Sequence, residues 1–574
     1  MGTDWKDRLK EIGKELVQDS FDKKKTLKEV KTKVPEKKPI MNLEVFMEEL
    51  LSKGSSDKKD AVKVVKKEIP KEPSSCSQNI SKMATDKDDG LLQSNTMKRR
   101  PPLPKPPSGG RERVTVGLDF GTSFTKVCLR KELGGDDVPI YPVILEKDTY
   151  GQLASPLCPS LIAIKDNKIY FGQEAFAKAS NGARRIEHVK ACIACNLFDS
   201  SIDCVSSATC PYLDGTLSPV KLASLYIGWV MKESRGEASK ILRGNQFSFI
   251  YNVGVPIKHL DWGQDDQLYQ KYRGIFYAAW RISEGVKQGM DLQVALSWLE
   301  EINEMGVPSF QDSLVQAAPE SSAAIVSYVN STESQPGLYS IVDIGAWTTD
   351  VSFFRLTDIS MRETGVPRLS FYAADVLKKA TNAIDEKIVR AIMEYGNLKS
   401  IKDFSENENI LFFIRSKREA NALIGTTVEF KTENGNLEQF VIPNCIVDYV
   451  KFIHSEGIRR GFTHTFKEAR NKERASNIWR NFTLFLTGGG SYETIFGEKI
   501  LSRYNEFSPR VRSDILTFNT LEGNRNSKYQ KRLAVAAGLS YPLGTWPEQL
   551  HPSQVPDMDQ PRMADIPEAD DEPG

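Results

Sequence analysis

The sequence predicts an α/β protein built from two related halves, and three observations carry that expectation. From Arg113 to about Pro542, short apolar runs bounded by Gly and Pro alternate with amphipathic stretches, the texture of strands interleaved with helices. Within this region VGLDFGTSFTKVCL (Val116 to Leu129) and IVDIGAWTTDVSFF (Ile341 to Phe354) superimpose without a gap: Asp119 falls on Asp343, Gly121 on Gly345, Thr125 on Thr349 and Val127 on Val351. A third segment, LFLTGGGS (Leu484 to Ser491), runs a strand into three consecutive glycines.

Composition sets the outer limits. The chain has 574 residues, with 77 Lys and Arg against 76 Asp and Glu, a formal charge of +1. No excess of positive charge points to nucleic acid or a lipid surface. A hydrophobic fraction of 40% and a mean hydropathy of −0.39 imply segments that bury no core, to be sought at the ends. No apolar run approaches the ~18 residues of a membrane span. The opening residues, MGTDWKDRLKEIGKEL, lack the apolar stretch of a secretory signal, and Lys6 breaks the pattern for myristoylation at Gly2. Eight cysteines suit a reducing compartment. The expectation is a cytoplasmic protein without membrane or nucleic-acid partners.

Taken in chain order, residues 1–112 read as a disordered charged arm, rich in Lys, Glu, Asp, Ser and Pro and too poor in apolar residues to repay the entropy of ordering. Two stretches in it, Asp4 to Val17 and Asn42 to Leu51, show helical spacing and serve either as transient helices or as docking elements for a protein partner. The arm ends in MKRRPPLPKPPSGG, an extended proline spacer. Residues 113–335 form the first half and 336–541 the second. Residues 542–574, rich in Pro, Asp and Glu with little to pack, read as an acidic disordered tail.

Each repeat delivers an Asp at the end of a strand, then a Gly and small hydroxyl residues, then a second strand. Such a hairpin suits phosphate. Gly121 and Gly345 let the backbone turn and approach a ligand, while the N–H groups that follow and the hydroxyls of Thr122, Ser123, Thr348 and Thr349 donate to phosphate oxygens. Asp119 and Asp343 would repel a polyphosphate, so the arrangement calls for Mg²⁺ and its waters between carboxylates and phosphates. Either hairpin alone is also ordinary turn chemistry. Two of them in register, followed by glycines that let a ring or ribose-phosphate lie against bare backbone, point to one nucleotide clamped between two halves.

These residues resemble the actin, sugar kinase and 70-kDa heat-shock chaperone superfamily of ATPases. DFGTSFTK (Asp119 to Lys126) is similar to its first phosphate motif, DIGAWTTD (Asp343 to Asp350) to its second, and LFLTGGGS to its adenosine motif. The chaperone branch is favoured by CPSLIAIKDNKIYFGQEA (Cys158 to Ala175), NVGVPIK (Asn252 to Lys258), ESSAAIVSY (Glu320 to Tyr328) and AVAAGLSYP (Ala534 to Pro542), which follow that branch's order. The resemblance implies a duplicated ribonuclease-H-like, actin-like fold with two lobes around a nucleotide cleft, and ATP and Mg²⁺ as ligands. It implies that Asp119 and Asp343 organise Mg²⁺ through water and that Glu320 helps place the lytic water. Gly121, Thr122, Ser123, Gly345, Thr348 and Thr349 would hold phosphate, and Gly488, Gly489, Gly490 and Ser491 the adenosine side. Two lysines compete for the charge-neutralising role, Lys126 in the first motif and Lys190 in RRIEHVKACI.

The departures from the family pattern are specific. Ala346 and Trp347 replace the second and third glycines of D-x-G-G-G-T, and Ala380-Thr381 stands where a Gly-Gly precedes the helix bearing Asp385. The adenine-gripping helix has only a loose counterpart in IRSKREANALIG, with Arg415, Lys417, Arg418 or Glu419 available. Residues from Pro542 onward are too few for a peptide-binding β-sandwich. The expected activity is therefore that of a chaperone-like conformational switch driven by ATP hydrolysis. An actin-like filament ATPase, a small-molecule kinase of the same fold and a nucleotide-binding pseudoenzyme, for which Trp347 is the sign, are the alternatives. Separately, Cys192, Cys195, Cys204 and Cys210, with His188 just before, supply either a Zn²⁺ site or reduced thiols.

Overall fold

The computed structural model describes residues 112–557 apart from short gaps and the longer stretches 147–154, 199–216, 257–266, 305–313, 358–366, 390–413 and 508–526. The arm expected over residues 1–112, with its candidate helices and proline spacer, lies outside the described residues except for Glu112. The fold is α/β with mixed sheets.

The first half begins with β1 (Glu112–Phe120), β2 (Phe124–Lys131), β3 (Tyr141–Pro142), β4 (Cys158–Pro159), β5 (Ile162–Lys165) and β6 (Lys168–Phe171). There follow α1 (Gly172–Ser180), β7 (Arg184–Ile186), α2 (Val189–Phe198) and α3 (Pro219–Ile241). It closes with β8 (Phe247–Val255), α4 (Gln267–Ile282), β9 (Met290–Asp291), α5 (Leu292–Glu304), β10 (Val315–Pro319) and α6 (Glu320–Val329). Its main sheet has the order β10-β8-β1-β2-β3, with β4 also on β2. The β1–β2 pair is antiparallel, and β8 runs parallel to both β1 and β10. Every residue of β1 from Val114 to Phe120 is buried, which is why this strand reads as a nearly unbroken apolar run. Parallel neighbours need long crossovers, and helices supply them: α3 leads into β8, and α4 and α5 carry the chain from β8 to β10.

The second half runs β11 (Gly337–Ile344), β12 (Thr349–Thr357), β13 (Arg368–Leu377), β14 (Thr427–Lys431), β15 (Leu437–Val441), α7 (Asn444–Lys472) and α8 (Ser476–Trp479). It continues with β16 (Thr483–Thr487), α9 (Thr494–Phe507), α10 (Ser527–Leu539) and β17 (Glu548–Leu550). The sheet order is β16-β11-β12-β13-β17, with β11–β12 and β12–β13 antiparallel and β11–β16 parallel. Each sequence repeat thus forms an antiparallel hairpin whose first strand has a parallel neighbour on its other side.

Three large apolar clusters hold these layers. One lies within each half, the second built on Phe353 with Phe462, Phe466, Trp479 and Phe482 around it. The third is shared, joining Cys128, Ala318, Ala323 and Ile325 to Ile341, Phe354, Phe485, Leu533 and Ala537. Helices α6 and α10 meet inside it backbone to backbone. A Cβ on Gly538 would lie 1.6 Å from the Ala323 carbonyl oxygen, so only glycine permits that approach.

Residues 542–557, the described part of the acidic tail expected over residues 542–574, are folded onto the protein. Trp546 is buried and donates from Nε1 to the Tyr541 carbonyl at 3.2 Å. Glu548–Leu550 then pairs parallel with β13, and Lys472 Nζ donates to the Val555 carbonyl at 2.6 Å. The composition concealed this because one large aromatic and a three-residue edge strand suffice to dock a segment, and prolines are tolerated beside an edge. Residues 558–574 lie outside the described residues.

Candidate functional site

The first hairpin turns through Gly121-Thr122-Ser123. The Gly121 N–H donates to the Asp119 carbonyl at 3.1 Å, and Ser160, at the end of β4, ties the turn down. Its N–H donates to the Ser123 carbonyl at 2.9 Å, its Oγ donates to the Gly121 carbonyl at 2.7 Å, and that Oγ lies 2.9 Å from Thr125 Oγ1. Register places Asp119 opposite Lys126, and the Lys126 Nζ donates to Asp119 Oδ2 at 2.8 Å. The pair is almost covered, with Asp119 buried.

The second hairpin turns through Gly345-Ala346-Trp347-Thr348 and is closed by the Gly345 N–H donating to the Thr348 carbonyl at 2.9 Å. Thr381 Oγ1 donates to the Gly345 carbonyl at 3.3 Å, so the residue standing in place of a glycine still reaches this turn. Here register sets Asp343 opposite Asp350. In the superposition of the two repeats Lys126 and Asp350 are equivalent, so one hairpin carries a carboxylate–ammonium pair and the other two carboxylates. Asp350 was absent from the site residues read from sequence, although the repeat itself marked its position.

Parallel pairing of β16 with β11 sets Thr487 beside Asp343 and delivers the glycines to the same carboxylate. Gly488 has φ +82, and a Cβ there would lie 2.2 Å from Asp343 Oδ1 and 2.4 Å from the Ile344 carbonyl oxygen. Its N–H donates to the Lys531 carbonyl at 3.2 Å on α10, and Ser491 Oγ donates to its carbonyl at 2.7 Å. Gly489 lies against the Arg532 guanidinium, and Gly490 against Ile344 and Thr381.

Both lysines considered from sequence reach the site. Lys126 holds Asp119, and Lys190, on the first turn of α2, donates from Nζ to Glu320 Oε1 at 2.6 Å. Glu320 opens α6 and packs on Gly254 of β8, where a Cβ would lie 2.8 Å from its Cγ. These groups act on one another's charge. Burial, and next Asp119, push the Asp343 carboxyl up to about 7; Lys126 and Lys190 oppose the rise and Glu320 adds to it. Asp350 is pushed well above the ordinary carboxylate range by burial, by Glu320 and by Asp343. Glu320 is raised by burial, which outweighs the pull of Lys190. Burial works against the Lys190 charge, but Glu320, Tyr272 and Asp119 overcome it and hold the ammonium above its usual value. Tyr272 on α4, which no motif marks, is pushed up to about 12 chiefly by burial.

The Trp347 indole and the His188 ring meet edge to face, with ring centroids 5.3 Å apart at 74°. Trp347 is 8% exposed, and its Nε1 is buried without a hydrogen-bond partner among the described residues. Such an unmade bond costs about 1–3 kcal/mol.

Asp119, Asp343, Asp350 and Glu320 are thus linked through charge and pairing with Lys126 and Lys190, and the Gly488–Ser491 segment packs against Asp343 and Ile344; Thr122, Ser123, Thr348 and Thr349 lie on or beside the two turns. Among the described residues no three Asp, Glu, His or Cys side chains come close enough together to hold a metal ion directly. Asp350 Oδ1 is buried without a partner among the described residues, and a carboxylate oxygen is a hard donor of the kind Mg²⁺ takes, directly or through water. Of the four cysteines, only the Cys192 side chain is described, buried on α2; Cys204 and Cys210 and the Cys195 side chain lie outside the described residues. So do Arg415, Arg418 and Glu419. Among the described residues no helix is long and apolar enough to cross a membrane. No protein-family model and no curated protein sequence matches the chain.

Proposed function

We propose that this protein binds and hydrolyses ATP as a member of the actin, sugar kinase and 70-kDa heat-shock chaperone superfamily, nearest the chaperone branch, and works as a nucleotide-driven conformational switch. The observation that carries the reading is geometric: each repeat ends a strand on an Asp opposite a charged residue of its own hairpin, and a Cβ on Gly488 of the third motif would lie 2.2 Å from Asp343 Oδ1 of the second. Burial and the Asp119 charge of the first repeat together raise that same carboxyl. Three motifs, each more than a hundred residues from the next, therefore bear on one carboxylate. The matching hairpins, each with a parallel neighbour on its first strand, support a duplicated actin-like fold.

In this reading the turn amides and the hydroxyls of Thr122, Ser123, Thr348 and Thr349 bind the phosphates, and Gly488 to Ser491 bind the adenosine side. Lys126 and Lys190 offset the negative charge. Glu320, held by Lys190, accepts a hydrogen bond from the attacking water and orients it in line with the terminal phosphorus. Asp119 and Asp343, joined by Asp350, hold Mg²⁺ through its waters. The bound ion supplies charge neutralisation at the phosphate oxygens. Closure of the two halves then couples nucleotide state to shape, and a protein partner engages the N-terminal arm.

Calorimetric titration of Mg-ATP into the wild type and Asp343→Ala, followed by turnover assays, tests the proposal. Binding and slow hydrolysis by the wild type, with both lost in the variant by more than about a hundredfold, are expected. A wild type that neither binds nor turns over nucleotide would remove the reading. Turnover dependent on an added sugar or acid would favour the kinase alternative, and nucleotide-dependent pelleting the filament one.

A further inference from the structure

Trp347 is the one large side chain in the second turn. Superposition of the repeats sets Trp347 on Ser123 and Ala346 on Thr122, so the first turn carries two hydroxyl donors where the second carries a methyl group and an indole. An indole N–H donates and cannot accept, so the partner it lacks is an acceptor. That N–H is buried, without a partner among the described residues, on the turn that joins Asp343 to Thr349. No carboxylate among the described residues accepts from it. A phosphoryl group offers several acceptor oxygens. The indole ring also forms a T-shaped pair with His188, the residue before α2, and Lys190 lies on the first turn of that helix.

We propose that Trp347 is a nucleotide-binding residue: its N–H donates to the terminal phosphoryl group of a bound nucleoside triphosphate, at the place Ser123 occupies in the first turn. Through His188 the ring ties that contact to the helix bearing Lys190. This inference rests on the nucleotide reading above and adds a residue that distinguishes triphosphate from diphosphate.

The test titrates Mg-ATP and Mg-ADP into the wild type, Trp347→Phe and Trp347→His, by calorimetry and by tryptophan emission. Phenylalanine keeps a ring against His188 and removes the donor; histidine keeps a ring N–H. Trp347→Phe is expected to weaken Mg-ATP roughly five- to tenfold, the worth of one hydrogen bond, with Mg-ADP changed by less than about twofold. Trp347→His is expected to retain most of the preference for ATP, and the ATP-induced change in emission seen in the wild type is expected to vanish in Trp347→Phe. Equal losses for ATP and ADP, or no loss for either, overturn the inference and leave the nucleotide reading standing. A wild type that binds neither nucleotide overturns both. If Trp347→Phe does not fold, Trp347→His decides alone, and loss of its ATP preference overturns the inference.

Discussion

Asp343, Asp350, Glu320 and Lys190 are largely buried and titrate under one another's influence, with Asp119 among the charges that act on three of them. Asp343 has the clearest consequence, because its pKa is raised from the ordinary 3.8 to about 7, first by burial and then by Asp119. Between those values the unfolded chain has released the proton while the folded chain retains it. The unfolded state therefore binds fewer protons, and stability falls as pH rises through that window, levelling off above about 7. In nucleotide-free protein with metal chelated, Asp343→Asn removes this dependence. The variant is expected to melt a few degrees above the wild type at about pH 8 and close to it at about pH 4, as followed by thermal denaturation. A variant less stable than the wild type at the higher pH would show that the folded protein favours the ionised form. At this scale the sequence made Asp119, Asp343 and their turn residues legible, because an acid, a glycine and small hydroxyls lie within a few positions of one another. Ser160, Tyr272 and the choice between Lys126 and Lys190 were not legible. The partner of Lys190 lies 130 residues further on, and both lysines prove to be engaged.

Elements bring these residues to one place through two kinds of join, hairpin register and parallel pairing. Register sets Asp119 on Lys126 and Asp343 on Asp350, and parallel pairing carries Gly488 to Asp343. Gly488 bears two constraints at once, a left-handed φ and a carboxylate where a Cβ would lie. Gly425 has a similar φ of +77 and open space around its Cβ position, so it isolates the first constraint. Gly425→Ala is expected to cost about 1 kcal/mol of strain and leave Mg-ATP affinity unchanged. Gly488→Ala is expected to lose at least about tenfold in that affinity as well, because the new methyl displaces Asp343, whose interactions with the ligand are worth more than 1 kcal/mol. Chemical denaturation and calorimetry read the two effects separately. Equal affinities for the two variants would disconnect the glycine segment from the acidic turns.

Across the whole molecule, the shared apolar cluster and the helix pair α6–α10 make the two halves one body. The C-terminal segment belongs to that body too. Asn252 of β8 donates from Nδ2 to the carbonyls of Leu539 and Tyr541 at 2.9 Å each, and Trp546 and β17 then fasten the chain to the second sheet. Trp546→Ala is expected to destabilise the protein by about 3 kcal/mol. Truncation after Tyr541 is expected to cost at least as much, both seen as a lower denaturant midpoint. A truncated protein as stable as the wild type would return these residues to the acidic tail that their composition suggested.

By itself the sequence determined the alternation of strands and helices, the paired acidic turns and the glycine segment, because each is written in neighbouring residues whose conformations and chemistry are local. The tertiary structure alone decided that Lys126 pairs with Asp119 and Lys190 with Glu320, that Asp350 and Tyr272 join the cluster, that the indole of Trp347 lies against His188, and that residues 543–557 dock. Each of those depends on contacts between residues far apart in the chain. Burial and charge coupling arise only when the fold removes such residues from water together.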